Sequence, residues 1–291
     1  MEPACVEVGI FDRKRKSERF SVRNRGAGQS SYLMEDPMFD QLCDMNKLVQ
    51  PVRGTTDSRD AAAALSTDGW VVVRSSVAER YNASWCERTA SVLERLEPRA
   101  RADAVDCPLV RHFDEFNGHA ILHSPERRDI WPWDAVCPGA DQVGPYLSRL
   151  TGLSALVCKT VGLLSVDAGC KTYGRWHRDS SQLFEIAPDA VANDAANVVL
   201  PDYYFTVFFP LDALEPNEGN GVPEFITGSH RQGIGHYLTG SHHVAQPRCS
   251  PSEMIIINGK LIHRGTPNRA GGARRVLYAV FAPRWYDEEV V

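Results

Sequence analysis

The sequence predicts an α+β domain, mainly β, whose core is an antiparallel sandwich or barrel. Three observations carry this. Between residue 57 and about residue 150, apolar residues recur mostly at helical spacing. From about residue 157 the chain turns to runs rich in β-branched and aromatic residues. At 291 residues the chain is long enough to bury a substantial core.

The elements follow in order. Residues 1–55 read as an irregular N-terminal arm, with basic residues at Arg13–Lys16 and Arg23–Arg25, and residues 56–291 read as the domain. "DSRDAAAALSTDGWVVVRSSV" gives a short Ala-rich helix, a turn at Thr67-Asp68-Gly69 and a strand over Trp70 to Val73. "SWCERTASVLERLEPRA" places Trp85, Ala90, Val92, Leu93 and Leu96 on a helix that Pro98 is expected to end. "DQVGPYLSRLTGLSALV" predicts a second helix, and Trp131-Pro132-Trp133 a packed corner. The strand runs are "LVCKTVGLLSV", "DYYFTVFFPLDAL", "SEMIIINGKLIH" and "RRVLYAVFAPRW". Asn258-Gly259 between two such runs predicts a two-residue hairpin.

Composition excludes several classes of function. Hydrophobic residues are 43% and charged residues 24%, ordinary values for a globular protein. The net charge of −5 offers no electrostatic footprint for nucleic acid. No apolar run reaches the roughly 18 residues that span a bilayer, and the first residues lack the basic-then-apolar order of a signal peptide. The eight cysteines form no C-x-x-C and read as reduced thiols of a cytoplasmic protein. The expected partner is a small molecule.

Chemistry enters at "GRWHRDSSQLF". On an extended strand, His177 and Asp179 point the same way and can chelate one ion. Alone, H-x-D is common by chance. His263, at the end of the strand run after Asn258-Gly259, supplies a third ligand. Two histidines and one carboxylate with open positions suit non-haem Fe(II). His230 follows a turn sequence and His242-His243 lies in a Gly/Ser-rich stretch, so both fit less well. Arg274 heads the last strand run. An arginine pointing into a barrel needs an anion, because a buried unpaired charge is costly. A dicarboxylate co-substrate would supply one, as would an internal acid. Arg275 points to the opposite face by alternation.

Taken together, His177-Arg178-Asp179, "GNGVPEFITGSHR" (219–231), His263, Asn268 and Arg274 resemble the phytanoyl-CoA dioxygenase-like family of Fe(II)- and 2-oxoglutarate-dependent oxygenases. The resemblance covers roughly residues 57–285, and "DGWVVVRSSV" resembles that family's entry strand. It implies a double-stranded β-helix, a jelly-roll or cupin-like core with flanking helices. It implies that His177, Asp179 and His263 bind catalytic iron, and that Arg274 holds the far carboxylate of 2-oxoglutarate. O2 would oxidise the co-substrate to succinate and CO2 while a small organic substrate is hydroxylated. Asp179 stands where related halogenating enzymes carry a small residue. This favours hydroxylation, desaturation, epoxidation or ring chemistry over halogenation.

Two positions and one segment depart from the family pattern. Arg175 stands where many relatives have Gln, and Thr227 where they have Pro. The segment 185–204 is expected to form a loop over the site mouth and to set substrate choice. Thr206, mid-strand in "YYFTVFF", is a further cofactor-binding candidate, its hydroxyl reaching the 2-oxoglutarate carboxylate or else a backbone carbonyl. Trp176 and Phe184 flank H-x-D, with core packing the expected role. Two competing functions remain at this level: a non-catalytic metal- and 2-oxoglutarate-binding sensor of the same fold, and a zinc-dependent hydrolase.

Overall fold

In the computed structural model of the chain, the Ala-rich segment forms the first helix, α1 (Ser58–Asp68). The structure describes residues 47–52, 58–102, 104, 107–112, 118–123, 131–180, 202–231 and 242–286. Gly69 follows α1 at φ 83°, a left-handed conformation that suits glycine, and its N–H returns to the Leu65 carbonyl at 3.2 Å. Strand β2 (Trp70–Arg74) starts at once.

Helix α2 (Ser76–Arg101) is capped by Ser75, whose hydroxyl accepts from the Ala78 N–H at 3.1 Å. It buries Ala78, Trp85, Thr89, Val92 and Leu96, spaced to lie along one face. Pro98, expected to end this helix, lies inside it instead. It stands in the last turns, where its missing N–H removes one intrahelical bond, and the Ala102 N–H still closes on the Pro98 carbonyl at 3.1 Å. Two short helices follow, α3 (Trp133–Val136) and α4 (Gly144–Thr151), the latter ended by Gly152 at φ 74°. Trp131 and Trp133 are buried in the core under the helices, and the Trp131 indole N–H donates to the Val161 carbonyl at 2.6 Å. Trp-Pro-Trp is therefore a packed corner.

The remaining strands are β1 (Lys47–Val52), β3 (Leu109–His112), β4 (His119–Leu122), β5 (Leu156–Val166), β6 (Phe205–Pro210), β7 (Glu224–Ile226), β8 (His242–Pro247), β9 (Glu253–Asn258), β10 (His263–Arg264) and β11 (Arg274–Pro283). A seven-stranded antiparallel sheet runs β2-β9-β6-β11-β5-β4-β3, and a four-stranded sheet runs β1-β8-β7-β10. β1 joins its sheet in parallel with β8 over Lys47–Val52. These residues lie in the stretch expected to be an irregular arm. Pairing with β8 gives the backbone a ladder that local sequence did not announce. Residues 1–46 of the arm lie outside the described residues.

Alternation divides the large sheet between two cores. Val71 and Val73 face the helices, packing with Trp85 and Leu147. Trp70 and Val72 face the small sheet, packing with Phe225 and Ala245. On β11, Leu277, Ala279 and Phe281 face the helices, whereas Val276, Tyr278 and Val280 face the small sheet. The layers are thus helices, large sheet and small sheet, a mainly antiparallel sandwich of jelly-roll type.

Asn258-Gly259 does not make the predicted hairpin. β9 pairs with β2 and β6 in the large sheet, while β10 pairs with β7 in the small one. The dipeptide carries the chain between sheets. Gly259 is not left-handed, as a hairpin turn of that type requires. Its need for glycine is steric, since a Cβ there would meet Tyr204 Cδ1 at 2.4 Å.

Gly162 in β5 makes a second close approach. The phenol of Tyr278 lies across it, and a Cβ would meet Tyr278 Cζ at 2.3 Å. Tyr278 Oη sits 2.5 Å from His123 Nδ1. Gly162→Ala must displace the phenol from this pair. We expect a loss of about 1–3 kcal/mol in urea denaturation, typical of overpacking; unchanged stability would show that the ring finds another place.

Candidate metal centre

His177 and His263 meet across the edge of the small sheet. Each backbone N–H donates to the other's carbonyl at 2.9 Å, so the His177 segment extends the sheet beyond β10. β10 is in turn paired through His263 with Phe225 of β7. Asp179 lies past the bridge, in a bend. The turn after β9 holds it there, because the Asp179 and Ser180 N–H groups both donate to the Gly259 carbonyl at 2.9 Å. Convergence of His177 and Asp179 thus depends on this clamp and not on strand alternation alone.

One ligand atom from each of His177, Asp179 and His263 lies within 4.8 Å of the others. Asp179 Oδ1 is 3.4 Å from His263 Nε2 and 3.7 Å from His177 Nε2. His177 Nδ1 lies 2.9 Å from the Arg175 carbonyl, and His263 Nδ1 lies 3.0 Å from the Leu261 carbonyl. A carbonyl only accepts, so each Nδ1 carries the proton and each Nε2 presents a lone pair. Two lone pairs and a carboxylate oxygen therefore face one point. That donor set fits a divalent cation, with both rings held by backbone acceptors as metal-binding histidines usually are.

The surroundings keep the His177 ring neutral. Burial, and then the neighbouring His263, push the pKa of His177 down to about 4. Burial alone puts His123 near the same value, about 4. For both, the folded value lies below the ordinary one. Between about pH 6.5 and pH 4 the unfolded chain binds protons that the folded chain does not. Stability is therefore expected to fall as pH drops from 7 to 5. Melting temperatures of the metal-free protein should show this, with a shallower slope in His123→Gln; a flat series contradicts it.

Thr206, 2% exposed on β6, donates its hydroxyl hydrogen to Asp179 Oδ2 at 2.6 Å. The sequence offered this hydroxyl to a co-substrate carboxylate or a backbone carbonyl. In the structure its one proton goes to Asp179.

Arg274 is 4% exposed and faces the small sheet together with Val276 and Tyr278. Its buried Nε has no hydrogen-bond partner among the described residues, and burial lowers its pKa to about 10. Two strand positions beyond Val276, Tyr278 pairs with Phe208, whose ring lies 6.2 Å from the His263 ring. Arg274 and the metal ligands thus share the space between the sheets. Gly221 leaves room beside the guanidinium: a Cβ there would stand 3.3 Å from Nε. Arg275 turns the other way and forms a fork with Asp212 at 3.0 and 2.9 Å.

The remaining candidates have structural partners. His230 Nε2 sits 3.2 Å from the Ser66 carbonyl in α1. His242 and His243 lie on β8, not in a loop. Thr227 accepts from the Trp70 indole at 3.3 Å. Asn268 donates to the carbonyls of Val166 and Gly272 at 3.0 and 2.8 Å, shaping the turn before β11. Trp176 is fully buried, its ring 4.3 Å from the Arg264 guanidinium. Phe184 and residues 185–201 lie outside the described residues.

A supporting group was missed in the sequence. Arg264, next to His263, donates from Nε to Glu224 Oε2 at 2.8 Å, and Gln246 donates to Glu224 Oε1 at 3.2 Å. Tyr173 and Trp176 lie 4.2 and 4.3 Å from the guanidinium. This buried pair ties β10 to β7 and stiffens the strand that carries His263. Strand alternation, which puts Arg264 on the face of β10 opposite His263, was the available signal.

Among the described residues, Cys86, Cys107, Cys137, Cys158, Cys170 and Cys249 are free thiols. No described helix is long and apolar enough to cross a membrane.

No family model matches the chain, and no curated protein sequence matches it. Solved structures do resemble it. AviO1 from Streptomyces viridochromogenes Tue57 superposes at TM-score 0.54 and 17% identity, over 80% of this chain and 98% of that one. SnoK, a non-haem α-ketoglutarate-dependent carbocyclase from nogalamycin biosynthesis, superposes at 0.55 and 12% identity, over 79% and 87%. HygX from Streptomyces hygroscopicus, solved with nickel, 2-oxoglutarate and hygromycin B, superposes at 0.51 and 13% identity, over 79% and 89%. The likeness is one of fold.

Proposed function

We propose that the protein is a non-haem Fe(II)- and 2-oxoglutarate-dependent oxygenase of the phytanoyl-CoA dioxygenase-like kind. Its sandwich is then a double-stranded β-helix, and it oxidises a small organic metabolite in the cytoplasm. The observation that carries this reading is the buried Arg274, whose Nε has no hydrogen-bond partner among the described residues, in the same inter-sheet space as a His-Asp-His donor set. A metal site alone also suits a zinc hydrolase. A buried cation awaiting an anion beside that site is what a dicarboxylate co-substrate requires. Structures of similar fold support the same reading, since HygX was solved with nickel and 2-oxoglutarate together and SnoK is described as α-ketoglutarate-dependent.

In this reading His177 Nε2, His263 Nε2 and Asp179 Oδ1 hold Fe(II), and Arg274 grips the far carboxylate of 2-oxoglutarate. Iron, co-substrate and O2 together supply oxidation of a C–H bond, yielding succinate and CO2. The chain's own residues prepare that chemistry. The Arg175 and Leu261 carbonyls fix both imidazoles in the metal-binding tautomer. Asp179 brings one negative charge to the cation. Val276 and Phe208, buried in the inter-sheet core, keep bulk water from the span between Arg274 and the histidines. A carboxylate at position 179 favours hydroxylation over halogenation. SnoK is described from nogalamycin biosynthesis and HygX was solved with hygromycin B, and a small metabolite is the substrate class this reading assigns.

The test is co-substrate turnover. Succinate should form only when Fe(II), 2-oxoglutarate and O2 are all present, and Zn(II) should not replace iron. Hydrolytic activity with Zn(II) and no O2 would favour the hydrolase, and tight 2-oxoglutarate binding without turnover the sensor.

A further inference from the structure

We infer that Thr206 restricts Asp179 to one-oxygen ligation and thereby keeps a metal position open for the co-substrate. The inference rests on the metal and 2-oxoglutarate reading above. Asp179 has two oxygens with separate tasks. Oδ1 faces both Nε2 atoms, at 3.4 and 3.7 Å, while Oδ2 accepts from the Thr206 hydroxyl at 2.6 Å. A short bond from a hydroxyl to a carboxylate is among the stronger hydrogen bonds in proteins.

Thr206 cannot easily follow a moving carboxylate. It lies mid-strand, paired with Ile257 of β9 on one side and Val280 of β11 on the other. It is 2% exposed, and its β-branched side chain is stiff at χ1. Rotating Asp179 so that both oxygens face the histidines would break the bond and strand a buried hydroxyl.

The consequence lies in the count of coordination positions. An octahedral ion bound by three protein atoms keeps three positions free. A chelating keto acid needs two of them and O2 the third. A two-oxygen carboxylate would take one of the three and set Asp179 in competition with the co-substrate. Thr206 is a positioning residue in this account, acting through Asp179 and touching neither metal nor substrate.

The experiment compares wild type, Thr206→Val and Thr206→Ser. Valine keeps the shape and removes the hydroxyl; serine restores it. Melting of each metal-free variant establishes that it folds. Anaerobic 2-oxoglutarate titration of the Fe(II) proteins is then followed by absorbance, and Co(II)-loaded crystals report how Asp179 binds. We expect all three to hold metal. The valine variant should need at least roughly tenfold more 2-oxoglutarate, with serine within about threefold of wild type. Co(II) crystals should show both Asp179 oxygens on the metal in the valine variant and one in the others. Wild-type co-substrate affinity in the valine variant, or one-oxygen ligation there, overturns the inference. So does a folded valine variant that holds no metal, since the hydroxyl would then govern metal retention. If the wild type itself takes no 2-oxoglutarate, the functional reading fails. The Co(II) crystals alone then decide the Thr206 claim.

Discussion

Arg274→Met is expected to weaken 2-oxoglutarate binding roughly a hundredfold while leaving the unliganded protein at least as stable as wild type. The two halves have one cause. Arg274 is buried, and its Nε has no hydrogen-bond partner among the described residues. Desolvation already lowers its pKa to about 10, a sign that the environment resists the charge. Removing one member of a buried charge pair usually costs about 2–5 kcal/mol of binding, and tenfold in affinity is about 1.4 kcal/mol. Among the described residues no carboxylate is hydrogen-bonded to the guanidinium, and an apolar chain of similar length removes a desolvation cost. Calorimetric titration reads the first half and thermal melting the second. A methionine variant that binds the co-substrate normally removes Arg274 from the site; one that is several degrees less stable would mean that Arg274 has a structural partner.

The second large effect concerns the ligands. His177→Ala and Asp179→Ala should each abolish oxidation and lower Fe(II) affinity by roughly a thousandfold or more, with the fold intact. The fold survives because both residues are tied in through their backbones. His177 bridges His263 by N–H and carbonyl, and the Asp179 N–H reaches Gly259, all independent of the side chains. Asp179→Ala leaves the Thr206 hydroxyl without its acceptor, at a cost of about 1–3 kcal/mol, so that variant should melt somewhat earlier than His177→Ala. Equilibrium dialysis against Fe(II) and circular dichroism separate the two effects. Full activity in either variant would remove that residue from the ligand set.

The parts of the site legible in the sequence were those whose chemistry sits in single residues. His177, Asp179 and His263 stood out as ligand types, and strand alternation separated Arg274 from Arg275. The parts that were not legible depend on sheet register. Thr206 meets Asp179 across 27 residues of chain, and Arg264 meets Glu224 across 40. No local pattern encodes either pairing. Asn258-Gly259 misled for a related reason. Its hairpin preference is local, but β10 gains its partner in the other sheet, and that pairing wins. β1 gave no local strand signal that outweighed the reading of residues 1–55 as an irregular arm, and its ladder with β8 is likewise long-range. Pro98 misled because its helix runs on to Arg101 past the one lost hydrogen bond, closing through the Ala102 N–H and the Pro98 carbonyl.

The most direct measurement is an anaerobic absorbance titration. Metal-free protein receives one equivalent of Fe(II), then 2-oxoglutarate, and the weak visible iron-to-keto-acid band is followed. The account predicts a band that saturates near one equivalent of co-substrate, is absent in His177→Ala and needs far more co-substrate in Arg274→Met. No band from folded, iron-loaded wild-type protein would contradict it.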